Sequence, residues 1–334
     1  MIVVNYHDDL NEVHGGAAVL APLGAPDARA PFDRLAWWQG LATHCGLSPL
    51  LTVASRGDDR AVLALQRSSN GLSALANWYT FRWRPLITPG ADAAALLTAL
   101  TRDLAKQTTR ITLAPLPNEN GETAQLEAAF HAAGWITFRS QCAVNHILPI
   151  DGRSYAEYLA ARPGQVRTTL KRKAGKVTVT IDTAFNPVDW AAYEAIYAES
   201  WKPGEASPEF LRAFAQAEGA AGRLRLGLAL AEGQPVAAQL WTVEHGTAYI
   251  HKLAHVEAAK PLSPGTTLTA ALFEYVIDHD GVNLVDFGTG DDGYKRDWME
   301  QVRPRFRLDC YRAAAPTNWA AITRQRLRRI VGRG

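Results

Sequence analysis

Residues 283–298 read NLVDFGTGDDGYKRDW. The opening apolar run has strand composition and carries one carboxylate, Asp286. It breaks at Gly288 and Gly290, and Asp291, Asp292, Tyr294, Lys295 and Arg296 follow within a few residues. Ionisable groups and backbone strain gather at functional loops, so this turn is a candidate for chemistry. Asp, Gly and Lys are also the ordinary residues of a solvated turn, and on its own the stretch fits both readings. Its surroundings decide the fold.

Immediately upstream, an apolar helix is expected over 265–279, opened by Leu262-Ser263-Pro264-Gly265-Thr266-Thr267-Leu268. A strand, a short turn and a helix leave amide hydrogens free at the helix start, where the dipole favours an anion. Ser263, Pro264, Gly265, Thr266 and Thr267 are therefore candidate phosphate-binding residues, although a simple helix cap has the same composition. Before this helix comes a three-strand meander: RLRLGLALA (223–231), VAAQLWTV (236–243) and TAYIHKLAHV (247–256), joined by Gly233-Gln234 and His245-Gly246. Strand alternation puts Tyr249, His251, Leu253 and His255 on one face of the last strand and Ile250 and Lys252 on the other.

Further upstream, Ser154-Tyr155-Ala156-Glu157 has the form of a capping box directly after Asp151-Gly152 and marks a module boundary there. Helical segments run to Lys173, VTVTI (177–181) is a strand, and 190–217 is helical with a break at Pro203-Gly204. The first half begins with a helix over 31–44. The strands SPLLTVAS, AVLALQRS and LSALANWYTFRW follow, with hairpin signals at Arg56-Gly57-Asp58-Asp59 and Asn70-Gly71. A helix over 91–107, the strand RITLAPLP, a helix over 122–133 ended by Gly134 and the extended WITFRSQCAVNHILPI complete it. The last strand is expected near PRFRLDCYRA (304–313). The fold class is α/β (α+β), with 1–150 as one module, 151–315 as a second and 316–334 as a basic amphipathic tail.

Composition bounds the function classes. The 334 residues are 47% hydrophobic and 20% charged, which excludes a disordered or fibrous chain and allows two domains. A net charge of +2 gives no global nucleic-acid signal. Cys45, Cys142 and Cys310 lie far apart and form no CxxC pair, so neither a metal site nor a disulfide framework is expected. The amino terminus MIVVNYHDDLNEV lacks a cationic start and a signal-length apolar core, and no run approaches a membrane span, which implies a cytoplasmic protein.

The succession of meander, Ser/Pro/Gly/Thr helix start, helix, strand and glycine turn resembles the acyl-CoA N-acyltransferase (GNAT) superfold. More narrowly, 151–313 is similar to the cellulose-biosynthesis-type acetyltransferase domain, a relative of the Fem peptidoglycan aminoacyl transferases. The resemblance is carried by SYAEYLAARPGQVRTTLKRKAGK, Trp201-Lys202, the meander, SPGTTLTAALFEYVI and VDFGTGDDGYKRDW. The first half is similar only in outline, which implies two tandem GNAT-like modules, each a mixed, mainly antiparallel sheet flanked by helices. The family's phosphate loop, Q/R-x-x-G-x-G/A, is replaced here by Pro264-Gly265-Thr266-Thr267 with its single glycine.

The resemblance implies transfer of an acyl group from acyl-CoA to an amine acceptor, without a metal and with the acceptor held between the modules. The alternatives are a Fem-like transferase using aminoacyl-tRNA and a catalytically silent binding module. The reaction needs a base, oxyanion stabilisation and protonation of the leaving thiolate. Asp291, Asp292 and Glu300 are candidate bases, and Tyr294 is a candidate proton donor. The resemblance sets Lys295 near the transferred carbonyl and His251 or Lys252 near the reacting centre, whereas Asp286 reads as scaffold. Trp201, Lys252, Tyr79 and Arg82 are candidate substrate contacts, the last two within ANWYTFRWRPL (76–86), which has the composition of an acyl or lipid groove. VRTTLKRKAGK (166–176) offers cations to phosphates of either donor. The tail interleaves Trp319, Ile322, Leu327, Ile330 and Val331 with Arg324, Arg326, Arg328, Arg329 and Arg333. It fits peripheral contact at the inner membrane face and also a docking helix on its own protein.

Overall fold

The computed structural model describes residues 1–10, 20 and 30–331, with side chains from 329 onward outside the description. In chain order the elements are β1 (Val3–His7), α1 (Leu35–Cys45), β2 (Ser48–Arg56), β3 (Asp59–Ser68), β4 (Gly71–Ala74), β5 (Leu86–Ile87), α2 (Ala93–Leu104), β6 (Arg110–Leu116), α3 (Glu122–Ala132) and β7 (Ile136–Pro149). They continue with α4 (Tyr155–Ala160), α5 (Gly164–Lys173), β8 (Thr178–Asp182), α6 (Pro187–Ala198), α7 (Pro208–Ala220), β9 (Leu224–Ala231), β10 (Gln234–Glu244) and β11 (Thr247–His255). The last are α8 (Pro264–Glu274), β12 (Leu284–Thr289), α9 (Gly293–Trp298), β13 (Gln301–Tyr311) and α10 (Trp319–Val331). Two compact units result, 1–143 with 303–334, and 144–302.

In the first unit, β1, β2, β3 and β4 pair antiparallel in sequence order, β4 runs parallel to β6, and β13 closes antiparallel on β6. Asp92 caps α2 by accepting from the Ala95 amide at 3.0 Å. The helix then lays Leu96, Leu97, Leu100 and Leu104 at helical spacing into a core with Leu63, Leu65, Ile111 and Phe130. Each such side chain contributes about 1.5–3 kcal/mol of burial. Two expectations change here. The run LSALANWYTFRW keeps strand geometry only to Ala74, because Asn77 turns the chain: its side chain accepts from the Tyr79 amide and its carbonyl from the Thr80 amide. The last strand, expected in the second module, pairs with β6 of the first.

In the second unit the strand order is β7-β12-β11-β10-β9-β8, antiparallel except for β11 and β12. The capping box at Ser154 and Glu157 is formed in full and starts α4. Leu268, Leu272 and Phe273 of α8 pack on Ala229, Trp241 and Ile250 of the sheet. Below Glu274 the helix loosens into a π-turn over Tyr275–His279. The parallel ladder between β11 and β12 has three pairs, the last Tyr249 with Asp286; beyond it the strands part. That parting positions the site.

Candidate active site

A cleft of about 300 Å³ opens where β11 and β12 separate. Leu253, Ala254 and His255 of β11, Phe287 of β12, and Tyr294, Asp297 and Trp298 of α9 line it, with Gly265, Thr266 and Thr269 of α8 beyond them. Its hydrophobic backing is a run of rings: Trp298 stacks on Phe273 at 5.4 Å and Phe273 on Tyr158 at 5.1 Å.

The start of α8 is held by a residue with no sequence motif. Gln239, 1% exposed, donates to the Thr269 hydroxyl at 2.6 Å and the Gly265 carbonyl at 3.3 Å, and accepts from the Trp241 indole at 2.8 Å. An amide inside the apolar run VAAQLWTV was its only signal. Ser263 takes a left-handed conformation (φ 55°) before Pro264 and receives the Lys173 ammonium at 3.1 Å. An added Cβ on Gly265 would stand in ordinary contact, 3.6 Å from the His255 ring, so the fold itself does not demand glycine there. What the missing side chain leaves is close access to the backbone at the helix start. The Thr267 hydroxyl is buried with no hydrogen-bond partner among the described residues.

The glycine turn of 283–298 has a different logic from the cleft wall. Asp286, 6% exposed, accepts from Asn145 at 3.1 and 3.2 Å and from the Gly288 amide at 2.8 Å, as a scaffold residue does. Gly290 lies at φ 104°, a region open to glycine. Lys295, 4% exposed, folds back and donates to the carbonyls of Phe287 and Thr289, so it closes the turn from inside. Burial holds its ammonium below the usual lysine range. Asp291 bonds His146 at 2.9 Å and Arg296 at 2.7 Å; the Arg296 and His146 contacts hold its carboxylate below the usual range. Neither Lys295 nor Asp291 is in the cleft wall. Tyr294 is, with its ring edge-on to Phe287 at 5.6 Å, and burial together with Asp292 pushes its phenol well up.

Glu300, read as a candidate base, is bound on both sides. Arg153 grips it at 2.9 and 3.0 Å and Arg162 also contacts it, and the Arg153 hydrogen bond depresses its pKa. A carboxylate so held is a poor base. Strand alternation also breaks in β11. The register against β10 slips between Leu240–Lys252 and Trp241–Ile250, which leaves His251 as a bulged residue. Ile250 stays in the core under α8, while His251 and Lys252 both turn to the α6–α7 side. There the His251 ring contacts the Thr242 hydroxyl at 2.8 Å and Phe214, and Lys252 pairs with Glu205 at 2.7 Å over the Tyr197 ring. Both are outside the cleft wall.

Trp201 lines the cleft, its ring 4.5 Å from that of His255. Its neighbour Lys202 sits over Trp201 and Tyr197, and desolvation, helped by the charge of Lys252 and by Lys295 and opposed by Asp292 and Glu205, lowers its pKa to about 8. Tyr79 and Arg82 belong to the first unit, where Tyr79 is buried and Arg82, with Arg84, holds the buried Asp33 at 3.2 and 2.9 Å. Glu205, Tyr197, Gln239, His255 and Asp297 are site-region residues that the sequence motifs did not single out. No group of His, Cys, Asp and Glu side chains suited to a metal occurs among the described residues.

Residues 164–296 match the family described as the acetyltransferase (GNAT) domain. Among solved structures, FemX superposes with a TM-score of 0.62 at 11% identity, over 91% of this chain and 96% of that one. The chain has a Fem-like GNAT fold. A tandem GNAT protein from the clavulanic acid biosynthesis pathway matches at 0.55 and 16% identity, over 92% and 98% of the two chains. The C-terminal domain of a putative lysylphosphatidylglycerol synthetase from Agrobacterium fabrum matches at 0.57 and 11% identity, over 87% and 91%. No curated protein matches the chain. In this GNAT fold, β11 and β12 are the pair that parts, and α8 begins at the mouth of the gap.

Proposed function

We propose that the second unit is an N-acyltransferase that moves an acyl group from acyl-CoA to an amine. One observation carries the reading: the β11–β12 ladder ends at Tyr249 and Asp286, and the cleft beyond it runs to the start of α8. A thioester fits along the parted strands, with its pyrophosphate at the amides of Gly265 and Thr266. Asp297, in the cleft wall, accepts one proton from the attacking ammonium; Tyr294, in the same wall and protonated over the working pH range, gives its proton to the departing thiolate and recovers one from the nitrogen of the collapsing tetrahedral intermediate. Gln239 holds the helix start in place. Acetyl-CoA at about 100 times its Kd should stabilise the fold by about 2.7 kcal/mol, read as a rise in melting temperature. A chain unmoved by acetyl-CoA, and no faster than buffer in acetylating a panel of primary amines, sinks the proposal.

A second reading rests on α5. Gln165, Val166 and Thr169 of this helix line the cleft while Arg167, Lys171 and Arg172 are exposed beside it, an arrangement that supports an aminoacyl-tRNA donor. Salt-sensitive tRNA binding, abolished by reversing these charges, favours that donor over acyl-CoA. The tail supports an acceptor at a lipid or cell-envelope surface on the cytoplasmic side: Trp319 and Leu327 are 59% and 56% exposed on a helix that also carries Arg324, Arg326 and Arg328. Among the described residues no helix is long and apolar enough to cross a membrane.

A further inference from the structure

The first unit holds its own cavity, roughly 510 Å³, between α10 and strands β6, β7 and β13. The tail helix that roofs it is docked on its own unit: Ile322, 5% exposed, packs with Phe138 and Tyr311. Five arginines line the cavity, Arg110, Arg139, Arg307, Arg324 and Arg328, against one carboxylate, Asp309. The chain as a whole is nearly balanced, 35 basic to 33 acidic residues, so the excess here is a local one and not the charge of the whole chain.

Asp309 is already engaged. It is 3% exposed and accepts from the Thr112 hydroxyl at 2.8 Å and from Arg307 at 3.0 and 3.1 Å. Arg139 leans towards Glu127 at 3.7 Å, and Arg110 lies 5.3 Å over the Tyr311 ring, which fixes its plane. Arg324 and Arg328 stand one turn apart on α10, and the wall offers them no second carboxylate. Guanidiniums gathered round one space repel one another unless an anion sits among them. A phosphate, with several acceptor oxygens, meets several planar forks at once where a single carboxylate meets one. The rings of Phe138 and Tyr311, 6.0 Å apart, give an apolar wall to whatever carries the phosphate, and the volume suits a small molecule or a headgroup.

We propose that this cavity binds the phosphate group of a small metabolite or of a lipid headgroup, gripped by Arg110, Arg324 and Arg328. The test uses the full chain and two variants, Arg324→Gln/Arg328→Gln and Arg110→Gln. Melting temperatures confirm that each is folded. Inorganic pyrophosphate is titrated calorimetrically, and flotation is measured with phosphatidylglycerol and with phosphatidylcholine vesicles. Pyrophosphate held at the start of α8 is common to all three chains and cancels in the comparison. The native chain should bind pyrophosphate at least about tenfold more tightly than either variant, as expected for lost charge-assisted contacts. Arginine-dependent binding of pyrophosphate alone assigns a soluble phosphate ester. Arginine-dependent flotation with phosphatidylglycerol but not phosphatidylcholine assigns a headgroup. Equal binding by native and variant chains, or no binding of either probe, overturns the proposal.

Discussion

The Lys295 ammonium donates to the Thr289 carbonyl oxygen at 2.7 Å, reaching back across the turn that separates them. A second bond, to the Phe287 carbonyl at 3.1 Å, makes this lysine the internal clasp of the glycine turn. Lys295→Met takes the donor from the buried Phe287 carbonyl and from the part-buried Thr289 carbonyl, at about 1–3 kcal/mol for an unsatisfied buried group. The expected result is a lower urea midpoint, with transferase activity falling in step with the folded fraction. A variant that keeps the native midpoint and loses all turnover would show that the ammonium acts on substrate instead.

Tyr294→Phe should leave donor affinity within about twofold and lower turnover by about 100- to 10,000-fold, the usual scale for a lost proton donor. Steady-state kinetics at saturating acetyl-CoA separate the two. Equal losses in affinity and turnover would point to packing against Phe287, 5.6 Å away, rather than to proton transfer.

Glu300 carries Arg153 and Arg162, the latter 7% exposed and also donating to the Trp298 carbonyl at 3.2 Å. Glu300→Gln should cost about 1–3 kcal/mol, below the figure for a fully buried pair because Glu300 is partly exposed. Its folded pKa is depressed, so the stabilisation is complete above the unfolded value and disappears as pH falls through the folded one. Thermal melts of native and variant chains should therefore converge in acid. Parallel curves would contradict the ion-pair account.

Asp182 behaves in the opposite sense. Desolvation, then the neighbouring Asp189 carboxylate, raises its pKa to about 6. The folded chain binds more protons than the unfolded chain between the ordinary aspartate value and about 6, so stability falls as pH rises through that window. Asp182→Asn should raise stability at pH 7 by about 0.5–1 kcal/mol, a figure discounted for the solvent reaching this side chain. The gain should fade below the window; a constant gain across pH would mean that titration is not its source.

Lys202 offers a third pH signature. Its folded pKa, about 8, lies below the unfolded value, so the cost of burying its charge is full below pH 8 and is relieved as pH rises towards the ordinary lysine range. Lys202→Met should therefore raise the melting temperature most at neutral pH and least near pH 10. An advantage that grows with pH would reverse the assignment.

Local chemistry was legible in the sequence where the cause was local. The Ser154 and Glu157 box, the Gly57 and Gly71 hairpins and the leucine stripe of α2 all formed because each needs only its neighbours. The order of meander, helix start and glycine turn was enough to indicate the fold. The bulge at His251 was not visible, since it depends on how β11 meets Leu240 and Trp241 of another strand, and one slipped residue turned His251 and Lys252 to the same side. Lys295, which the resemblance set near the transferred carbonyl and the turn composition set in solvent, is buried because α9 folds under the loop. Gln239 had no motif, and Asp297 lay unremarked inside the 283–298 stretch, because a side chain acquires a role in the cleft only from what packs around it.

The pairing of β13 with β6 also sets an order of events in the cell. A ribosome releasing this chain from its amino end must make all of 117–300 before β6 can receive its partner. The second unit, contiguous over 144–302, has every one of its strands to hand sooner. It can fold while the first still waits with an unpaired edge, the kind of surface on which other chains add strands. A released chain that ends at residue 300 should accordingly show protease resistance over 144–300 and sensitivity in the first unit, so that residues 303–331 act as the last piece of a unit that began far upstream.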